Sequence, residues 1–416
     1  MIIWRFNKIP NTSLFSYLKR SFIINKLPYF KYFESLVFWN FLSEPLKSLA
    51  YLQNRRYFLM NLKFIAIIFL ISGKLTAQVT PFFDRFPVID SLNEGFSIHG
   101  HSLVYFKNNE YIKEAYPGFS ALGANNELSV SYKKQGHSFT GGIFYQFVFG
   151  RPLRSVVLPI LSYQYKLTKD LKVVLGTLEG PAEHRLSQEL QGVDAYLANP
   201  IEYGAQFKYT PKWVDADVWI NWRENIVTGD SAQEKFTQGS NFNFHLFDKN
   251  DWKIDANATA LFYHFGGQID ISEAHVVSLI NYGLGISVSK KAGKWNNTVS
   301  YNYSGFKNDE DYTLVPWDKG FGHSLTLDVD NNTWYFGVGY RKFDRYFTLF
   351  GDQVFSLINQ FTGEIFGTKK ELISGSISYQ LLGDKNFNIN IGSELYYNLP
   401  TSQLDYNYSV MGRVKF

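Results

Sequence analysis

The chain has 416 residues, no cysteine and a formal net charge of +4, which excludes a disulfide scaffold and any metal site built on cysteine. No run of about 18 apolar residues occurs, so a bundle of transmembrane helices is also excluded. The positive charge is concentrated in residues 1–77, where Glu34 and Glu44 are the acidic residues. The rest of the chain is net acidic, which argues against a nucleic-acid partner.

The first recognisable element is an apolar segment within residues 60–78, which read MNLKFIAIIFLISGKLTAQ. Lys63 is followed by an apolar run, and Ala77 is a small residue at a plausible cleavage point, which is the pattern of a secretory signal peptide. We predict a signal peptide over 60–77 and, upstream, an extension over 1–59 that is absent from the mature protein. The alternative is a cytoplasmic extension anchored by this segment, but the run is shorter than the roughly 20 residues that span a bilayer.

A short lead-in, predicted to be periplasmic, covers residues 78–94, and period-2 segments separated by turn residues follow. We predict sixteen strands with either 14 or 18 as alternative counts. Their expected ranges are 95–112, 126–133, 138–149, 155–166, 171–178, 201–210, 214–226, 234–247, 252–265, 276–289, 295–306, 320–329, 333–345, 371–381, 386–399 and 403–416.

The connections between these segments have an asymmetric length pattern. Those after even-numbered strands are short, such as TKD and DNN, whereas several after odd-numbered strands are long, notably 179–200, 307–319 and 346–370. Transmembrane β-barrels show tight turns at the periplasmic end and longer loops outside, with an even number of strands. The pattern therefore predicts one antiparallel up-and-down barrel over 95–416, with both ends of the chain on the periplasmic side.

The signal peptide, the hairpin rhythm and the C-terminal stretch YSVMGRVKF resemble the porin-like outer-membrane β-barrels of Gram-negative bacteria. This resemblance covers 78–416 at the level of architecture and implies an integral outer-membrane protein. It implies outer-membrane lipid and lipopolysaccharide as surroundings, and the barrel-assembly machinery and periplasmic chaperones as partners during biogenesis. The terminal stretch resembles the signal that this machinery recognises, carried by Tyr408, Val410, Gly412, Val414 and Phe416.

Three copies of the tripeptide GHS are candidate sites of nucleophilic catalysis, because a lipase needs a His beside a Ser nucleophile. They are Gly100-His101-Ser102, Gly136-His137-Ser138 and Gly322-His323-Ser324. Adjacent residues on a strand point to opposite faces, so the two side chains of each copy should not converge. We therefore expect no catalytic residue here and no enzyme.

Two predicted loops concentrate possible metal ligands, and oxygen-rich outer loops can hold calcium. One carries Glu179, Glu183, His184, Glu189 and Asp194, and the other His264, Gln268, Asp270, Glu273 and His275. Neither has a recognisable ligand spacing, so we favour solvated polar loops without a metal or other cofactor.

Aromatic residues near strand ends favour girdles at the two membrane interfaces over a sugar-stacking track. The examples are Trp213, Trp252, Trp295, Trp334, Tyr396 and Tyr397.

The alternation of side chains along each strand also gives candidates for the lumen, since an Arg or Lys on the lipid face at mid-depth costs about 2–4 kcal/mol. These candidates are Glu202, Lys208, Asp217, Arg223, His245, Asp255, Asp328, Arg341, Glu394, Arg413 and Lys415.

The connection 346–370 is too apolar for a solvated loop of this length. The spacing of Val354, Leu357, Ile358 and Phe361 predicts one face of a short helix packed over or inside the mouth.

The leading functional hypothesis is a channel for the passive passage of small hydrophilic solutes. The alternative is a closed barrel that serves as a surface binding or structural protein.

Overall fold

The computed structural model describes residues 93–416 except 113–114, 116–117, 151–154, 268–270, 309–314, 332 and 384–385. The predicted extension, the signal peptide and nearly all of the lead-in lie outside the described residues. Within the described part, no helix combines the length and apolar character needed to cross a membrane.

Sixteen antiparallel strands form one closed barrel, in which each strand pairs with its neighbours in sequence and β1 pairs with β16. The strands are β1 (Gly95–Glu110), β2 (Ser120–Lys134), β3 (His137–Val148), β4 (Val156–Lys166), β5 (Leu171–Thr177), β6 (Tyr203–Tyr209), β7 (Val214–Glu224), β8 (Lys235–Lys249), β9 (Trp252–Phe265), β10 (Val277–Ala292), β11 (Trp295–Asn308), β12 (Lys319–Asp330), β13 (Trp334–Asp344), β14 (Lys369–Gly383), β15 (Phe387–Asn398) and β16 (Gln403–Lys415). The predicted fold class and the count of sixteen strands are confirmed.

The two ends of the barrel differ as the connection lengths predict. We call the end with the start of β1, the end of β16 and the tight turns the turn end, and the opposite end the loop end. Gln135 and Gly136 join β2 to β3 with φ of 50° and 80°, and Asn250 and Asp251 join β8 to β9 with φ of 53° and 65°. Positive φ at both positions is typical of the type I′ turn that suits the twist of a two-residue hairpin.

Side chains alternate between the two faces of the wall, apart from register shifts at single positions of β7, β8 and β14. On β10, Leu284 is 57% exposed on the outside while Leu279 is 2% exposed on the inside. The outer face is apolar and exposed, whereas the inner face carries buried Asn, Gln, Ser, Thr and charged side chains. This distribution suits an outer face in contact with lipid.

Two long connections enter the lumen at the loop end. The first inner segment, residues 178–202, contains a 3-10 helix over Pro181–His184 and the short helix α1 over Val193–Ala198. The second inner segment, residues 345–368, contains a 3-10 helix over Gln353–Phe355. Both segments contribute to the largest buried apolar cluster, together with inward residues of the wall.

The predicted packing of the second inner segment is confirmed for Val354, Leu357 and Ile358, which are fully buried. The predicted α-helix is wrong: Phe361 is 68% exposed, and Ile358 forms an isolated β-bridge with Ile365 instead. The apolar spacing reflects burial against the wall and the first inner segment rather than one face of a helix.

Backbone hydrogen bonds join the two inner segments to each other. Gly192 N donates to Phe350 O over 2.8 Å, and Asp352 N donates to Gln188 O over 2.9 Å. The Tyr346 hydroxyl adds a bond of 2.8 Å to the carbonyl oxygen of Glu189. The segments therefore form one packed layer inside the mouth, which we call the plug.

Candidate functional site

A carboxylate held by two lysines anchors the start of the plug to the wall. Glu179 is buried and ion-paired with Lys172 of β5 and, over 2.6 Å, with Lys208 of β6. Burial alone would raise the pKa of Glu179, but the two ammonium groups outweigh it and lower the pKa to about 2. Glu179 therefore stays ionised at any ordinary pH.

A buried histidine lies beside this group, between two carboxylates. His184 Nε2 is 2.8 Å from Glu202 and Nδ1 is 2.9 Å from Asp217, while the ring stacks on Trp219 with centroids 3.5 Å apart. Burial alone lowers the pKa of a histidine, but the two negative charges outweigh it and raise the pKa of His184 to about 9. Both ring nitrogens then donate, and the imidazolium joins the plug to β7.

A second ion pair fixes the middle of the plug. Arg341 of β13 donates through Nε to Glu189 over 3.2 Å, and Ser324 of β12 donates to the same carboxylate over 2.6 Å. Both charged side chains are almost fully buried. The plug is therefore held by charge-assisted bonds on opposite sides of the barrel.

Below the plug lies a polar cavity of about 1380 Å³ that reaches the turn end. Residues 182–189 and Gln191 of the plug line its upper part, and Lys169, whose side chain is 88% exposed, lies at its lower rim. The residues predicted for the lumen all face the interior, Glu202 at the end of the first inner segment and the other ten on the wall: Lys208, Asp217, Arg223, His245, Asp255, Asp328, Arg341, Glu394, Arg413 and Lys415. They form an ion-paired interior rather than one continuous charged track.

The predicted girdle holds for five of its six residues. The four tryptophans Trp213, Trp252, Trp295 and Trp334 lie at the turn end, and Tyr397 is 40% exposed on the outside at the loop end. Tyr396 is the exception: it points inward, is 1% exposed, and packs edge-on against Phe355 of the plug. The residues of the predicted assembly signal, Tyr408, Val410, Gly412, Val414 and Phe416, lie on the outer parity of β16 and its end.

The GHS copies behave as parity requires. His323 lies on the outer face and contacts the Tyr301 hydroxyl over 2.7 Å, whereas Ser324 points inward to Glu189. His137 likewise faces outward against Tyr163, while Ser138 is fully buried on the inner side. The two side chains in a copy do not meet, so GHS is not a catalytic motif here.

A different Ser–His pair is formed across two strands. His264 of β9 and Ser278 of β10 are direct partners in the strand register, and His264 Nδ1 lies 3.1 Å from Ser278 Oγ. Their neighbours Tyr263 and Leu279 are buried on the inside, so the pair belongs to the outer face. It lies at the loop end, one residue before the end of β9 and one after the start of β10.

Aromatic rings continue the row in which the pair lies. Trp222, Phe236, His264 and Ser278 are successive partners across β7, β8, β9 and β10. The His264 ring centroid is 5.1 Å from that of Phe236, and Phe262 stacks below it. The rings hold the imidazole against the wall and leave Ser278 7% exposed.

Sequence reasoning missed this pair because its members are far apart along the chain and meet only through the β9–β10 register. The sequence places His264 both at the end of the predicted strand 252–265 and among the possible metal ligands of the following loop, and the structure shows it on the strand. Within the described ranges, no group of three or more His, Asp or Glu side chains is arranged to hold a metal ion. A second Ser–His pair, Ser97 and His99, lies 2.9 Å apart on the inner parity of β1 at the turn end.

Solved barrels of similar fold include a loop L8 deletion mutant of OmpT from Vibrio cholerae, with 10% identity, a TM-score of 0.48 and coverage of 77% of this chain and 99% of that chain. Pseudomonas aeruginosa OccK2 in complex with glucuronate has 9% identity and a TM-score of 0.46, covering 77% and 98%. An anion-selective porin from Comamonas acidovorans has 10% identity and a TM-score of 0.47, covering 77% and 99%. At these identities and TM-scores, the similarity to solved barrels supports no conclusion about function.

No curated protein matches the sequence. A family model described as "Lipid A 3'-O-deacylase-type" matches residues 90–415. That description names an enzyme family, so the expectation that the chain is not an enzyme is wrong. Because the match covers almost the whole barrel and well over half of the chain, the chain belongs to the lipid A 3'-O-deacylase-type family.

Proposed function

We propose that this protein is a hydrolase that removes an acyl chain from an ester-linked lipid of the outer leaflet, with Ser278 as nucleophile and His264 as general base. The observation that carries the proposal is the 3.1 Å contact between His264 Nδ1 and Ser278 Oγ on the outer face of the barrel. A serine hydroxyl is a weak nucleophile until an adjacent base takes its proton, and this distance suits that transfer.

The position of the pair supports a lipid substrate. The long connections mark the loop end as the outer side of the membrane, so the pair lies at the depth of the outer-leaflet headgroups. A polar substrate would instead meet Ser97 and His99, which face the lumen at the turn end. The name of the family, which specifies a lipid deacylase, agrees with a site on the lipid side.

The surroundings also favour an anionic headgroup. Lys307 of β11 and Lys319 of β12 are direct partners, exposed on the outer parity, at the same end of the barrel. Two ammonium groups this close to each other form a positively charged patch, which would attract a phosphate-bearing headgroup. The direct partner of Lys307 on β10 is Ile280, two residues from Ser278, so Lys307 lies diagonally across from Ser278 on the outer face.

The proposed reaction needs no external group besides water. Ser278 Oγ attacks the ester carbonyl carbon as its proton passes to His264 Nδ1, and the tetrahedral intermediate expels the alcohol oxygen, which takes that proton. The acyl chain is then esterified to Ser278. His264 next removes a proton from water, whose oxygen attacks the acyl carbon, and the fatty acid leaves as Ser278 regains its proton.

A channel for small hydrophilic solutes is the second candidate, and the polar cavity favours it. The plug opposes it, because its buried apolar residues and ion pairs occupy the mouth above that cavity. Passage would require the plug to move, whereas hydrolysis on the outer face uses the barrel in the arrangement described.

The test is fatty-acid release from lipopolysaccharide in mixed micelles, measured by mass spectrometry for the wild type and for Ser278→Ala and His264→Asn. We expect each variant to lose at least about 100-fold in rate, the usual contribution of a nucleophile or general base. Ser97→Ala is the matched control and should retain the wild-type rate. Full activity of correctly folded Ser278→Ala would reject the site, and loss in Ser97→Ala alone would move it into the lumen.

A further inference from the structure

The outer face carries a polar pair in the middle of two of its strands. Ser102 of β1 and Asn126 of β2 are direct register partners, and Ser102 Oγ donates to Asn126 Oδ1 over 2.8 Å. The residues on either side of Asn126, Asn125 and Glu127, are buried inside the barrel. Asn126 itself therefore faces outward.

Apolar residues bracket this pair along both strands. On β2, Leu122 and Leu128 are 44% and 57% exposed, and on β1, Ile98 and Val104 are 66% and 48% exposed. The pair therefore lies within the apolar band rather than at the headgroups. Water is scarce at that depth, so polar groups there must find partners in protein.

The internal hydrogen bond satisfies only part of the pair. It uses the Ser102 proton and the Asn126 carbonyl oxygen, and the amide nitrogen of Asn126 brings two further donors. Among the described residues no acceptor is seen for that nitrogen, and lipid chains offer none. A partner that covers this patch must therefore present a hydrogen-bond acceptor.

We infer that β1 and β2 form the interface of a homodimer in the membrane, with the Asn126 side chains of two copies facing each other across a two-fold axis. A carboxamide is both donor and acceptor, so two copies related by a two-fold axis can exchange reciprocal hydrogen bonds. Small residues lie beside the pair on one side, Ala124 of β2 and Gly412 of β16, where the space that a Cβ would occupy is open, and the exposed Tyr145 ring flanks it on the other. Polar and small residues are the groups that join protein surfaces within a bilayer.

The absence of cysteine from the sequence makes a sharp test possible. In Asn126→Cys, the two introduced thiols should lie across the axis and form a disulfide, which needs Cα atoms about 4.4–6.8 Å apart. The matched control is Leu284→Cys, which is exposed on the outer face at the middle of β10. The full chain is expressed, outer membranes are oxidised, and dimers are scored on a non-reducing gel.

We expect a dimer for Asn126→Cys and none for Leu284→Cys. No dimer from a correctly inserted Asn126→Cys, or equal dimer formation at both positions, would overturn the inference. Should Asn126→Cys fail to insert, Ser102→Cys serves as a second variant with the same expected result. As an independent measurement, Asn126→Leu should weaken dimerisation in detergent by roughly threefold to tenfold, and an unchanged mass distribution would count against the interface.

Discussion

Replacing His184 by glutamine should reduce the stability of the barrel in a strongly pH-dependent way. The histidine is buried between Glu202 and Asp217, which raise its pKa from 6.5 to about 9. That difference corresponds to about 3 kcal/mol of stabilisation by the charged form. Because the folded-state pKa is the higher one, this contribution is complete below pH 6.5 and is lost as the pH rises through 9.

The assay is urea unfolding of the barrel in detergent, followed by tryptophan fluorescence, at pH values from below 6.5 to above 9. The free energy of unfolding of the wild type should exceed that of His184→Gln by about 3 kcal/mol more at the low end than at the high end. Glu202→Gln should narrow this pH window, since one of the two charges that raise the pKa is then neutral. A constant difference between wild type and His184→Gln across the range would refute the reasoning.

Three further predictions concern the plug and the closure of the barrel. Arg341→Met should destabilise the barrel by about 3–5 kcal/mol in chemical unfolding, because it leaves the Glu189 carboxylate buried without its cation. A loss of less than about 1 kcal/mol would contradict this account. Deleting residues 351–367 should raise the conductance of the protein in planar bilayers, since this part of the plug fills the mouth. Ion preference should change little, because the lumen carries charges of both signs. A conductance equal to that of the wild type would place the segment outside the permeation path. Deleting Phe416 should lower the amount of assembled barrel at the cell surface, because this residue exchanges backbone hydrogen bonds of 2.9 and 3.0 Å with Gly100 of β1. A normal surface level of the deletion variant would contradict the assignment of Phe416 to the assembly signal.

Strand periodicity predicts this fold well because every transmembrane strand must be apolar on one side only. The one large boundary error is at the start of β2, predicted at 126 and found at Ser120. The stretch SALGANN has small and polar residues in place of an alternating pattern, so its strand conformation follows from pairing with β1 rather than from its own sequence. The tendency of a segment to form a strand depends on the strands beside it, and for this stretch pairing with β1 determines the conformation.

The candidate site was harder to predict because it depends on register. His264 and Ser278 share the outward parity of their strands, a signal that is present in the sequence once the β9–β10 hairpin is aligned. The predicted strand ends are accurate enough to place both residues at the loop end, but a shift of one residue in the register would put them on opposite faces. The buried position of His184 was still harder to predict from the sequence, because it depends on a loop that folds into the lumen.

The plug also has a consequence for the order of events during assembly. Its two halves meet through bonds such as that from Tyr346 to Glu189, which are 157 residues apart in the chain. Contacts of such long range form late, since the chain between their ends must first be ordered. We therefore expect the strands between these two residues, β6 to β13, to pair before the plug closes.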